Sequence, residues 1–192
     1  MFKAEANMLI KDFIDEYLRW RAVGEKAMSQ VSDEDLNRIP VTDGNSIAMI
    51  ARHVGGNLVS RFTDFLTADG EKPWRNRDGE FSDGPFNRKD VEQAWGRGFE
   101  TVTTELAKLT DKDLDRTITI RGAELRVHEA LCRSLAHTAM HSGQIILLAK
   151  IAAGAKWETL SIPKGKSAEY AKNPGMEKAA AHAAALANKS HR

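Results

Sequence analysis

The hydrophobic positions fall into helical repeats separated by polar, turn-forming stretches. Over residues 2–31, Met8, Leu9, Phe13, Tyr17, Trp20, Val23 and Gly24 recur at three-to-four-residue spacing, with Lys11, Asp12, Asp15, Glu16 and Arg19 between them. That pattern predicts a long amphipathic first helix. Ser32-Asp33-Glu34-Asp35 reads as a cap and short turn, and Pro40 disfavours helix at Ile39. Asp43-Gly44-Asn45-Ser46 then supplies turn and cap chemistry for a second helix over 47–62, with Ile47, Ile50, Val54 and Leu58 as its core stripe. Inside it, Gly55-Gly56 is unfavourable by about 1 kcal/mol per glycine relative to alanine, which points to close approach of a neighbour or ligand, or to glycines that are simply tolerated.

A third helix is expected over 90–109 from Val91, Trp95, Phe99, Val102 and Leu106. Two short strands around Arg121-Gly122 follow, Thr117 to Ile120 and Ala123 to Val127. The fourth helix, 127–153, offers Leu131, Leu135, Ile145, Leu148 and Ile151 for packing and stops at Gly154. The expected fold is therefore all-α, a four-helix bundle with a small β-hairpin between helices 3 and 4. Residues 1–162 form its domain, and 163–192 are a tail, partly helical or disordered. The tail's Ala-rich run has little to bury, so it is expected to be loosely attached or docked on a partner chain. Between the second and third helices, residues 69–90 form a long polar connection. It reads as a lid or entrance, or as a surface loop pinned by Trp74 and Phe81.

Composition narrows the classes. With 42% hydrophobic and 29% charged residues the chain is an ordinary globular protein. A formal net charge of +1 gives no concentrated basic field for nucleic acid or an anionic membrane. Cys132 is the only cysteine, which excludes an intramolecular disulfide and a Cys-based zinc site. The mixed charges of Met1 to Ala6 lack the layout of a secretion signal, and no apolar run approaches a membrane span, so the expected compartment is cytoplasmic.

Candidate chemistry centres on His137-x-x-x-His141. Four residues apart on a helix, the two imidazoles point the same way, rotated by about 40°. Such a pair chelates a divalent metal, or is satisfied by hydrogen bonds within the core. Gln144, one turn on, can orient one of the rings. His128 lies about 180° around the same helix from His137, and His182 and His191 lie in the tail, which leaves His53 as the remaining histidine of the bundle. His53 and Asn57 repeat the four-residue spacing. Three neutral imidazoles leave coordination positions open, the pattern of a catalytic metal site. Nitrogen ligation suits zinc, nickel or iron, and copper as well. The Glu-x-x-His of di-iron bundles is absent, since Leu125, Ser134 and Thr138 stand three positions before the histidines of this helix.

Several stretches taken together resemble the DinB-like superfamily, and within it a branch of small bacterial proteins of unknown function. They are Ser46-Ile47-Ala48-x-Ile50-x-x-His53, Gly56-Asn57-Leu58-x-Ser60-Arg61-Phe62, the loop Asp69-Gly70-Glu71-Lys72-Pro73-Trp74-Arg75-x-Arg77-Asp78-x-Glu80-Phe81, and His137-x-x-x-His141-x-Gly143-Gln144-Ile145. The resemblance covers residues 2–163. It implies up-down-down-up connectivity, a homodimer, and a divalent metal held by His53, His137 and His141. Characterised relatives include metal-dependent transferases and isomerases acting with low-molecular-weight thiols such as bacillithiol or mycothiol, and others have no known activity. The expected function is accordingly a metal-dependent thiol S-transferase acting on a small molecule. Asn57, Arg61, Trp74, Arg75, Arg77 and Gln144 are the candidates for substrate contact or for orienting ligands. A non-catalytic, stress-linked bundle dimer and a hydrolase using the same triad are the alternatives.

Overall fold

The computed structural model describes residues 7–82 and 84–188, and the expected start of the first helix at residues 2–6 lies outside them. Among the described residues the fold is mostly helical, with one two-stranded antiparallel sheet. The long helices are α1 (Met8–Met28), α3 (Ile47–Phe62), α5 (Arg88–Leu106) and α6 (Val127–Ala153), and the short helices α2 (Asp33–Asn37) and α4 (Arg77–Glu80) lie between them. Strands β1 (Thr117–Ile120) and β2 (Ala123–Arg126) separate α5 from α6, and α7 (Ser167–Tyr170) and α8 (Ala179–Asn188) follow. No helix among the described residues is long and apolar enough to cross a membrane.

Local chemistry explains the boundaries. Ser32 and Ser46 each accept a hydrogen bond from a backbone N–H of the first turn, of α2 and α3 respectively. Gly154, at φ 54°, ends α6 in a backbone region open to glycine. The hairpin pairs Thr117 with Arg126 and Ile120 with Ala123, and its turn residues Arg121 and Gly122 both have positive φ, as a tight two-residue turn requires.

The core lies among the four long helices, α1 and α3 each packing against both α5 and α6. Trp95, Tyr17, Phe62 and Phe99 are its largest fully buried side chains. Tyr17 meets Phe62 edge-on at 5.9 Å. Helices α3 and α5 come closest at two glycines: a Cβ on Gly55 would stand 2.2 Å from the Ala94 carbonyl oxygen, and one on Gly98 would stand 2.7 Å from the Gly55 Cα. The glycine at 55 is thus the close approach to a neighbouring helix.

Four expectations are corrected. Met8 and Leu9 are exposed, and Ile10 faces the core instead, because it lies two turns before Tyr17 on the same face. Ile151 is 69% exposed; it stands about 240° around α6 from Ile145, and the inward face runs through Leu131, Thr138, Ser142, Ile145 and Ala149. The connection over 69–90 contains α4, capped by Asn76, and α5 begins at Arg88, capped by Asn87. The tail docks on its own chain: α8 packs along α1, Leu186 is 2% exposed, and His182 Nε2 donates to the Leu160 carbonyl at 2.7 Å. Its inward stripe, Ala179, His182, Ala183 and Leu186, is helical in spacing, and the small alanines let α8 lie close.

Candidate metal centre

Packing of α3 against α6 sets His53 opposite His137 and His141. One nitrogen from each of the three rings falls within 4.8 Å of the others, so this cluster can hold a metal ion. His53 Nε2 and His137 Nε2 are 3.2 Å apart. Two nitrogens bound tetrahedrally to zinc at about 2.0–2.1 Å would be about 3.3 Å apart, so the spacing fits a shared ion.

The outer ring nitrogens decide which nitrogen faces inward. His53 Nδ1 donates to Glu80 Oε2 at 2.9 Å, and His141 Nδ1 donates to Gln144 Oε1 at 2.7 Å. Each bond places the proton on Nδ1 and leaves the Nε2 lone pair toward the cluster. Among the described residues His137 Nδ1 is buried without a hydrogen-bond partner. Phe81 covers one face of His53, with ring centroids 4.6 Å apart.

Glu80 is the hub of this outer layer. Arg75 Nε and Nη2 donate to its two carboxylate oxygens at 2.9 and 2.8 Å, a bidentate pair, and the Arg75 side chain is 2% exposed. Burial pushes the Glu80 carboxyl up, but the hydrogen bonds from His53 and Arg75 and the Arg75 charge outweigh it and hold it below its ordinary value. A Cβ on Gly56 would stand 2.2 Å from Glu80 Oε1, so the second glycine of the pair makes room for this carboxylate. Burial, then the neighbouring His141, His53, Arg75 and Arg133, push His137 down to about 4. Burial chiefly also lowers His141. Both rings are therefore neutral at pH 7 and ready to ligate.

The loop that carries Glu80 is clamped to the hairpin. Asp69 accepts from the backbone N–H groups of Glu71, Arg121 and Gly122 at 2.7–2.8 Å, and these bonds hold its carboxyl well below the usual range. Glu71 binds Arg61 at 3.0 Å and Arg121 at 2.8 Å, and the Gly70 N–H donates to the Thr119 carbonyl. The first half of the loop motif, Asp69 to Lys72, thus joins α3 to the turn, and the second half delivers Glu80 to His53.

Beside the triad opens a cavity of about 180 Å³, bounded by His53, His137, Asn57, Phe62, Phe65 and Ile120 and by five arginines. The other sequence-predicted residues divide. Asn57 and Arg77 line the cavity. Arg61 and Arg75 line it too, but their guanidiniums are engaged, Arg61 by the Gly70 carbonyl and Glu71, Arg75 by Glu80. Gln144 holds His141. Trp74 is 57% exposed and does not line the cavity, so it does not pin the loop; Phe81 packs inward on His53 instead. Sequence reasoning did not single out Glu80, Arg121 or Arg133. Glu80 stood in the loop motif beside Phe81, but no periodicity in a long polar loop says which of its carboxylates turns inward. Arg133 carried a usable one: it stands one turn before His137 on the same helix.

No curated protein and no solved structure matches the chain significantly. A family model described as protein of unknown function (DUF1572) matches residues 4–166, a span that holds all three histidines, the loop and the hairpin and stops before α7. By that match over most of its length, the chain belongs to the DUF1572 family, whose function is unknown.

Proposed function

We propose that the chain is a divalent-metal-dependent enzyme of the DinB-like type, with His53, His137 and His141 as ligands, and that it transfers a low-molecular-weight thiol to an electrophilic small molecule. In this reading α1, α3, α5 and α6 form a four-helix bundle of up-down-down-up connectivity that assembles as a homodimer. The observation that carries it is the 3.2 Å separation of two inward Nε2 atoms, one of them oriented from outside by Glu80, at the wall of a cavity. Three imidazole nitrogens suit zinc, nickel or iron and leave room for a further ligand. A divalent ion held there supplies the positive charge that lowers the pKa of a thiol or water beside it.

The chain's own residues do the rest. Glu80 and Gln144 fix the tautomers of His53 and His141, and Arg75 fixes Glu80. Phe62 and Phe65 line the cavity and Phe81 covers one face of His53, and this apolar surface strengthens electrostatic interactions beside it. The thiol sulfur bonds to the electrophilic carbon, the leaving group departs with the bonding electron pair, and the thiol proton passes to solvent. The test is a conjugation screen of zinc- and nickel-loaded protein with several low-molecular-weight thiols and a chromogenic aryl halide. Turnover with at least one thiol, lost in His141→Ala, is expected; silence across all thiols defeats the transferase reading.

One observation favours a second reading. His137 Nε2 can donate to His53 Nε2 while Glu80 and Gln144 occupy the outer nitrogens, so the cluster is largely satisfied without any ion, as in a non-catalytic bundle. That reading predicts wild-type metal content no higher than that of the histidine variants.

A further inference from the structure

We infer that the cavity beside the triad is an anion site, and that Arg133 and Arg77 hold the carboxylate or phosphate group of the substrate.

Five arginines line the cavity: Arg61, Arg75, Arg77, Arg121 and Arg133. Three of them are paired, Arg61 and Arg121 sharing Glu71, and Arg75 forked onto Glu80. Two are left. Arg133 makes no hydrogen bond or ion pair among the described residues. Arg77 lies 3.8 Å from the Asp78 carboxylate, beyond hydrogen-bond distance, and that carboxylate is almost fully in solvent. Phe81 supports the Arg77 guanidinium from one side, its ring centroid 5.4 Å away. The cavity therefore carries positive charge that the protein itself does not neutralise, and a divalent ion at the triad would add two more. An anionic ligand balances this field, and a planar guanidinium matches a carboxylate or phosphate with two parallel hydrogen bonds.

Position sets the distance to the reacting end. Arg133 precedes His137 by one turn of α6, about 6 Å along the axis, so an acid group held by Arg133 leaves the rest of a small molecule beside the imidazoles. Phe62, Phe65 and Ile120 form an apolar wall that suits a short hydrocarbon stem. At about 180 Å³ the space is small against the roughly 300–1,000 Å³ of pockets for drug-sized ligands, so it takes a small organic acid, a phosphate ester, or the acidic end of a larger molecule. Binding rests on the cavity alone; which end of the ligand reacts rests on the metal-centre reading above.

Isothermal titration of the full chain as purified, at constant ionic strength in sodium chloride, tests this with inorganic phosphate and succinate as separate probes. One-to-one binding of at least one probe is expected, weakened at least tenfold in Arg133→Gln and in Arg77→Gln, and weakened less in Arg133→Lys, which keeps the charge but loses the fork. The probe that binds identifies the acid group. His141→Ala keeps both arginines and is expected to bind the probe with or without metal, so loss of the metal centre and loss of the anion site give different results. Absence of binding by both probes, or equal affinity in the Arg77→Gln/Arg133→Gln double variant with its helical circular dichroism intact, overturns the inference.

Discussion

Glu80→Ala removes the one group that joins the loop, Arg75 and His53. Three hydrogen bonds are lost at 2.8–2.9 Å, two from Arg75 and one from His53. Arg75, with a side chain 2% exposed, is left as an uncompensated buried charge. Removing one partner of a buried ion pair costs about 3–5 kcal/mol. At about 2–4 °C per kcal/mol for a chain of this size, the metal-free protein should melt about 6–20 °C lower. Independently, His53 loses the acceptor that fixes its tautomer, and loss of such a partner lowers metal affinity by about 10–100-fold. Thermal melts of the metal-free protein read the first effect, and zinc competition against a chromogenic chelator reads the second. Glu80→Ala/Arg75→Met separates them: removing the stranded charge should restore much of the melting temperature and none of the zinc affinity. A Glu80→Ala protein that melts within about 2 °C of wild type and binds zinc equally well would show that Glu80 supports neither Arg75 nor His53.

Three further outcomes are expected. Gly55→Ala forces a Cβ to 2.2 Å from the Ala94 carbonyl, backbone against backbone, and should lower the urea-unfolding free energy by about 1–3 kcal/mol or more, whereas Gly143→Ala, with nothing within 4 Å, should raise it by about 0.5–1 kcal/mol. His137 is depressed in the fold to about 4 from an ordinary 6.5, so between those values the unfolded chain binds more protons; the stability of the metal-free protein should therefore rise with pH across that window, and His137→Gln should flatten the slope in urea titrations. Leu186→Ala, at a side chain 2% exposed, should lower stability by about 2–5 kcal/mol and open the segment after Leu160 to limited proteolysis, and unchanged cleavage would show that α8 does not depend on this contact.

The long helices and the hairpin were legible because their signals are local and repeated. Ser46 as a cap, the Ile47, Ile50, Val54 and Leu58 stripe, and the Arg121-Gly122 turn each report their own backbone. The spacing of His137 and His141, with His53 remaining by elimination, likewise followed from helical phase. What the sequence did not show depends on contacts distant along the chain. Gly55 and Gly56 look alike, yet one meets the backbone of α5 and the other a carboxylate carried by a loop. Arg61 and Arg75 look like free substrate contacts until Glu71 and Glu80 are found to hold them. The packing of α8 was hidden because alanine gives little hydrophobic contrast, so one leucine at 186 carried the whole signal. Met8, Leu9 and Ile151 failed for a simpler reason: apolar side chains are common on protein surfaces, and only their phase against Tyr17 and Ile145 tells them apart from the core.

His53, His137 and His141 are proposed to hold one divalent ion between them. Elemental analysis of untagged protein, loaded with zinc and desalted, compared with His53→Ala, His137→Ala and His141→Ala, tests it directly. About one zinc per wild-type chain, falling well below that in each variant while helical circular dichroism is retained, is the result predicted from the geometry. Equal zinc in wild type and all three variants, or none in any of them, would contradict it.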